Sequence, residues 1–308
     1  MTLPVPVLKG VSLLNTRRIH EGRFHLRPDP VVNNCIEYAL AYAANKYGIL
    51  LYTHVSLPNH HHTNFHDPHG KHPEFRREFH SLITRSTNVH RGTSEAKWSP
   101  DHKSPVILCD VESILDRNAY NLANMCLHDL VDQPEDWPGV LTKIDEIGGP
   151  PRTIKKPEHF YDPRGELPDT VELQFVKPLE LADWTLEEYK AELRKRVEEN
   201  CKKARATRRA EKRSVLGRIA VLSQDTAAQP EKQPEVGTRN PRVACRLREQ
   251  RILMLAWLSQ FRREHRSARL LFEEGDTAAE FPLGTYWHRL RFGVNCSATG
   301  PPEGVFAS

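Results

Sequence analysis

Between Asp29 and Phe65 the sequence dictates helix, strand, turn and strand, and little else satisfies it. Asp29 is a good N-cap, Pro30 fits the first helical position, and Val32, Cys35, Ile36, Ala39, Leu40 and Ala43 recur at helical spacing. Gly48 supplies a left-handed stop. Ile49 to Leu57 then reads as a β run around Tyr52, Thr53 and Val55. Pro58-Asn59 interrupts it, and His60 to Phe65 continues as a neighbouring or bent strand. The second strand opens on three consecutive histidines, His60, His61 and His62. Side chains alternate across a strand, so His60 and His62 share one face and His61 takes the other.

The remaining elements follow the same logic. His66 to Pro73 is rich in His, Pro and Gly and reads as a loop, with His66, His69 and His72 expected in solvent. Glu74 to Asn88 has helical spacing, Val106 to Leu108 reads as a short buried strand, and Asp110 caps a helix carrying Ile114, Leu115, Ala119, Leu122 and Cys126 on its apolar side. Gly148-Gly149-Pro150-Pro151 marks a boundary. We expect a globular unit over residues 1–150, a proline-rich extended linker over 151–182, and a basic helical extension over 183–308 with a flexible stretch near 223–239. Thr185 and Glu188 form a capping box that opens a helix to about Arg213, and Asn240-Pro241 is expected to open another.

Composition fits such a division. A hydrophobic fraction of 38% and 23 prolines, with a mean hydropathy of -0.60, suit a folded portion joined to a polar remainder. Six scattered cysteines without a CxxC pair argue against a disulfide framework or a zinc ribbon. No apolar run approaches a membrane span, and Met1 to Gly10 lacks a signal-peptide core, so a cytoplasmic protein with no membrane partner is expected. From Asp183 to Arg218 twelve Lys or Arg stand against seven acids. The densest stretch is Lys202, Lys203, Arg205, Arg208, Arg209, Lys212 and Arg213, either a solvated helix face or an arm that contacts phosphates.

The chemistry-bearing candidates are His60, His62, Tyr120 and Asn124. Two imidazoles on one strand face can grip one metal ion. A tyrosine and an amide four residues apart share a helix face. Phenol, with a pKa of about 10, is a poor nucleophile unless a cation or base assists. A metal held by His60, His62 and the Asn124 carboxamide would polarise a phosphodiester and stabilise the displaced oxygen. Two imidazoles and an amide leave coordination positions open, which suits Mg2+ or Mn2+ better than a closed zinc site.

Three stretches carry a family resemblance: FHLRPDPVVNNCIEYALAYAANKYG (residues 24–48), LPNHHH (57–62) and AYNLANMCLHDLVDQPEDWPG (119–139). Together they resemble the REP-associated tyrosine transposases, single-tyrosine members of the HUH endonuclease superfamily. The resemblance spans about residues 10–145, and FPLGTYWHRLRFGV (281–294) is similar to the C-terminal tail of one branch of that family. His60 and His62 fall on the family's metal histidines, Tyr120 on its nucleophile and Asn124 on its third ligand. Leu130, Val131 and Trp137 match by offset.

The resemblance implies an α+β, ferredoxin-like antiparallel sheet with packed helices (the HUH endonuclease fold). It also implies DNA transposition by cleavage of single-stranded DNA beside hairpins, through a 5′-phosphotyrosine link and with no nucleotide cofactor. The DNA would place the protein at the nucleoid of a bacterial cytoplasm. A homodimer is compatible with it, because in some relatives the tyrosine helix serves the partner's metal site. This sequence departs from the pattern at His61, where the family has an apolar residue, at the polar Thr63 and Asn64, and at Met125, where it has proline. An unpaired His61 inside a sheet would cost on the order of 1–3 kcal/mol. Three outcomes follow: a partner for His61, a shifted strand, or a decayed copy that binds structured DNA without cutting it. A zinc-binding protein using the wider histidine cluster is a further alternative.

Overall fold

The computed structural model describes residues 3–100, 105–158, 161–162, 165–230, 241–302 and 306. The chain opens with a strand not foreseen from sequence, β1 (Val11–Arg18), and then runs through α1 (Pro30–Tyr47), β2 (Leu50–Leu57), β3 (His60–Asp67), α2 (His72–Arg91), β4 (Val106–Leu108) and α3 (Val111–Leu127) in the expected order. The local signals explain the boundaries. Asp29 accepts a hydrogen bond from the Val32 backbone N–H, and Gly48 ends α1 at φ 67°. Asp110 caps α3 in the same way through Ser113.

The strands form one five-stranded sheet in the order β2-β3-β1-β4-β7, where β7 is Val243–Ala244. The β2/β3, β3/β1 and β1/β4 pairs are antiparallel; β7 joins β4 in parallel. α1 and α2 pack together, while α3 meets β2 and β3 and carries α4 (Leu186–Ala210) on its back. Phe65, Phe75, Phe79 and Leu82 are fully buried in the main core.

Within segment 151–182, read from sequence as a proline-rich extended linker, two strands pair with each other, β5 (Arg152–Lys155) and β6 (Thr170–Leu173). They lie on α1, where Asn45 Nδ2 donates to the Glu172 carbonyl (2.8 Å) and Tyr38 OH to that of Pro168 (2.6 Å). Further on, Glu180 fastens this segment to the sheet. Tyr52 OH donates to its Oε2 (2.9 Å), Ser12 Oγ donates to Oε1, and His66 Nδ1 lies 3.5 Å from that oxygen. Tyr52 reaches it because a register shift between Leu51 and Thr53 turns Tyr52 out of strict alternation.

Two expectations change here. The helix foreseen from Asn240-Pro241 begins at Arg248 instead, as α6 (Arg248–Glu273), because residues 243–244 are taken by the sheet. His66 and His72 are buried, not solvated, since β3 runs on to Asp67 and α2 starts at His72, whose Nδ1 is 3.0 Å from Asp67; only His69 of that trio is exposed. Two short helices complete the described chain, α5 (Arg218–Ser223) and α7 (Trp287–Phe292). The foreseen linker at 231–239 and the chain end at 303–305 and 307–308 lie outside the described residues.

Burial raises the pKa of Glu180, but hydrogen bonds from His66, Ser12 and Tyr52 outweigh it and hold the carboxyl below its usual range. Its contribution is therefore complete above about pH 4.5 and fades as pH falls through the lowered value. Glu180→Gln should cost about 1–3 kcal/mol at pH 7 in urea unfolding, with the difference from the parent closing toward pH 3. An unchanged urea midpoint at pH 7 would show that the carboxylate fastens nothing.

Candidate metal and nucleophile site

The β1/β3 register sets Thr16 opposite His62 and Arg18 opposite His60, so these four residues share one sheet face. Each histidine is fixed by its Nδ1. His62 Nδ1 lies 2.7 Å from Thr16 Oγ1, and His60 Nδ1 lies 2.6 Å from Asn59 Oδ1. Asn59 Oδ1 only accepts, so His60 Nδ1 donates and Nε2 is left bare; Nε2 is buried with no hydrogen-bond partner. The ring centroids stand 5.0 Å apart, nearly perpendicular. Burial, reinforced by the mutual repulsion of the histidines and by Arg18, holds His60 well below the ordinary imidazole range and His62 at about 3. Both rings are therefore neutral near pH 7, as metal ligands must be.

α3 brings the other half. Tyr120 packs edge-on to His62 with centroids 5.8 Å apart, and His128 does the same to His60 at 5.9 Å. Asn124 sits one turn from each on the same helix face. Its carboxamide is buried, and neither Oδ1 nor Nδ2 has a partner. A buried amide left unpaired is costly unless something else satisfies it. His60 Nε2 and the Asn124 oxygen thus suit a divalent cation, with Nδ1 anchoring as an outer shell. His60, His62 and Asn124 would hold it, with His128 at the rim. No cluster of three or more His, Cys, Asp or Glu with metal-holding geometry occurs among the described residues.

His128 and Arg18 were not singled out from sequence. His128 simply continues the four-residue spacing from Tyr120 through Asn124. Arg18 is close enough to Tyr120 and both histidines to act on them electrostatically, and its signal is alternation with Thr16 along β1.

His61 has partners, and its strand is not shifted at that point. Its Nε2 lies 2.9 Å from His80 Nε2 and its Nδ1 3.2 Å from Thr63 Oγ1, between Phe79 and Trp98. Thr63 in turn meets His54 Nδ1 at 2.9 Å. On the α3 side, Asn64 Nδ2 donates to Asn118 Oδ1 (2.8 Å), and Asn118 Nδ2 to Tyr189 OH (3.1 Å), tying the sheet to α4. Met125 is fully buried in the core. The wider histidine cluster does not gather: His66 is with Ser12 and Glu180, and His72 with Asp67.

The basic candidates of α4 divide. Arg208 is buried, with Nη1 donating to the Cys126 carbonyl (2.9 Å) and Nη2 to Asp132, so it closes the C-terminus of α3 and has no surface to offer a phosphate. Arg205 pairs with Glu198 (2.7 Å), and Arg213 with Asp129 and Glu211. Lys202, Lys203, Arg209 and Lys212 are exposed. In the C-terminal stretch 281–294, Tyr286 is buried and Trp287 is exposed.

Among solved structures, the chain is similar to that of a REP-associated tyrosine transposase bound to a REP hairpin. Identity is 17%, the TM-score is 0.38, and the match covers 45% of this chain and 81% of that one. No family model and no curated protein matches. No helix among the described residues is long and apolar enough to cross a membrane.

Two outcomes test the site. His54, His60, His61, His62 and His80 are all held by burial below the ordinary imidazole range. The unfolded chain therefore binds more protons below about pH 6.5, at about 1.4 kcal/mol per histidine per pH unit. Domains are stable by only about 5–15 kcal/mol, so the metal-free protein should unfold between about pH 6 and 5 by circular dichroism; a flat signal down to pH 5 contradicts neutral burial. In the second, Asn124→Leu should raise metal-free stability by about 1 kcal/mol or more while removing the increase in melting temperature given by Mn2+. A lower metal-free melting temperature would mean that the amide is already satisfied.

Proposed function

We propose that this chain is a metal-dependent, single-stranded DNA endonuclease and strand transferase of the tyrosine transposase class, acting in DNA transposition. The observation that carries the reading is the packing of Tyr120 against His62 beside His60, with the unpartnered Asn124 amide one turn further along the same helix. The strand order β2-β3-β1-β4, with α1 after β1 and α2 after β3, supports the ferredoxin-like reading of residues 1–150.

In this reading Tyr120 Oη forms a bond to phosphorus as the bond to the 3′ oxygen breaks. The phenol proton is lost to solvent and the departing oxygen gains one. The result is a 5′-phosphotyrosine link and a free 3′-hydroxyl, and the reverse attack rejoins strands. Arg18 favours the negative phosphate by its charge. His60, His62 and Asn124 would hold Mg2+ or Mn2+, which would supply positive charge to neutralise the phosphate and the departing oxygen. Lys202, Lys203, Arg205, Arg209, Lys212 and Arg213 serve as phosphate contacts for hairpin DNA, Arg208 being left to its structural contacts. The burial of His61 with His80 favours a maintained site over a decaying one, since each departure in β3 has gained a partner.

Incubation of the protein with an end-labelled single-stranded hairpin and Mn2+ should give a covalent adduct that survives denaturing electrophoresis. Tyr120→Phe should abolish it, and His62→Ala should lower its yield by about 100-fold or more. Hairpin binding without adduct in either Mg2+ or Mn2+ would leave a DNA-binding protein that does not cut.

A further inference from the structure

Tyr120 faces two places at once. One edge of its ring meets His62; the ring also lines a cavity of about 720 Å³ closed by α3, α4 and the arm formed by β7 and the start of α6. Ser113, Arg117 and Tyr120 come from one face of α3, Lys203 from α4, and Arg251 from the arm. We propose that this groove holds the single strand of DNA next to the phosphate that Tyr120 attacks, with Arg117, Lys203 and Arg251 contacting its backbone. The proposal rests on the cleavage reading for the identity of the phosphate, and on the groove itself for the rest.

The charge balance supports an anionic polymer. The acids in the walls are mostly neutralised within the protein. Arg196 pairs with Glu112 (2.9 Å), Asp116 (2.9 Å) and Glu192 (2.7 Å), and Arg246 adds a second partner for Asp116 (2.7 Å). Arg117, Lys203 and Arg251 then face Glu199, which is exposed, leaving an excess of positive charge. Arg251 gives one Nη1 hydrogen bond to the Cys245 carbonyl (3.3 Å) and keeps its other donors. Arg117 lines the groove together with Tyr120, three residues further along α3.

The volume falls in the range of sites for small ligands and takes nucleotide units of one strand, not a duplex. Tyr120 is the aromatic side chain lining this groove, so contact is mainly with phosphates and sequence preference within the groove should be weak. One wall belongs to the C-terminal extension, so strand binding depends on residues 243–251 as much as on the sheet.

The test uses full-length Tyr120→Phe protein in EDTA, so that neither cleavage nor metal contributes, and a fluorescent oligothymidine read by anisotropy across a salt series. Each of Arg117→Ala, Lys203→Ala and Arg251→Ala should weaken binding and reduce the slope of log K against log salt by about 0.7, and the triple variant by about 2. Arg117→Lys should keep the parent slope, which separates lost charge from lost folding. Lys155→Ala, an equal charge change on β5, should leave the slope unaltered. Parent-like slopes in the three groove variants, or no binding of the oligothymidine by the parent, overturn the proposal. Groove-dependent binding in a protein that forms no adduct overturns the cleavage reading alone, and an adduct formed equally well by the triple variant overturns the groove alone.

Discussion

The antiparallel pairing of β1 with β3 is the constraint on which the rest depends. Thr16 opposite His62, Arg17 opposite His61 and Arg18 opposite His60 is one register among those the backbone allows. A slip by one residue would send His60 and His62 into the α1–α2 layer and His61 toward α3. The register thus does two things together. It separates a histidine triplet into a pair with a bare nitrogen and a single ring with protein partners, and it lends the pair Thr16 and Arg18 from the neighbouring strand.

This arrangement explains how so polar a strand remains inside a sheet. All eight residues of β3 are buried, yet only Phe65 is apolar. The polar groups answer one another in two seams, His54–Thr63–His61–His80 below the sheet and Asn64–Asn118–Tyr189 above it. Connected networks of this kind favour one packing. The amide of Asn124 and the Nε2 of His60 lie outside both seams and have no hydrogen-bond partner; the Asn15 amide and Asn64 Oδ1 in the same sheet also have none.

What was legible in the sequence was what is encoded locally. Asp29 and Gly48 bracket α1, Asp110 opens α3, and Thr185 with Glu188 opens α4, since each signal is read by backbone groups a few residues away. Alternation likewise set His60 and His62 on one strand face, and helical spacing set Tyr120, which packs on His62, on the same helix face as Asn124. Illegible parts depend on partners distant in sequence. Glu180 finds Ser12 and Tyr52 more than a hundred residues back. Arg208 looks like one more cation in a basic run until Cys126, Asp129 and Asp132 surround it. Val243-Ala244 carries no strand signal of its own and is a strand only because β4 offers an edge.

That small parallel pairing has a consequence for how the molecule comes into being. β4 is three residues long, and its outer edge is taken by two residues that lie more than 130 positions later. Until the ribosome has delivered them, Val106–Leu108 presents unpaired N–H and C=O groups, the kind of edge on which chains associate. Closing so long a loop is slow relative to the local elements. The nascent protein therefore passes through an interval in which sheet, histidines and tyrosine can already be assembled while one side of the sheet is still open.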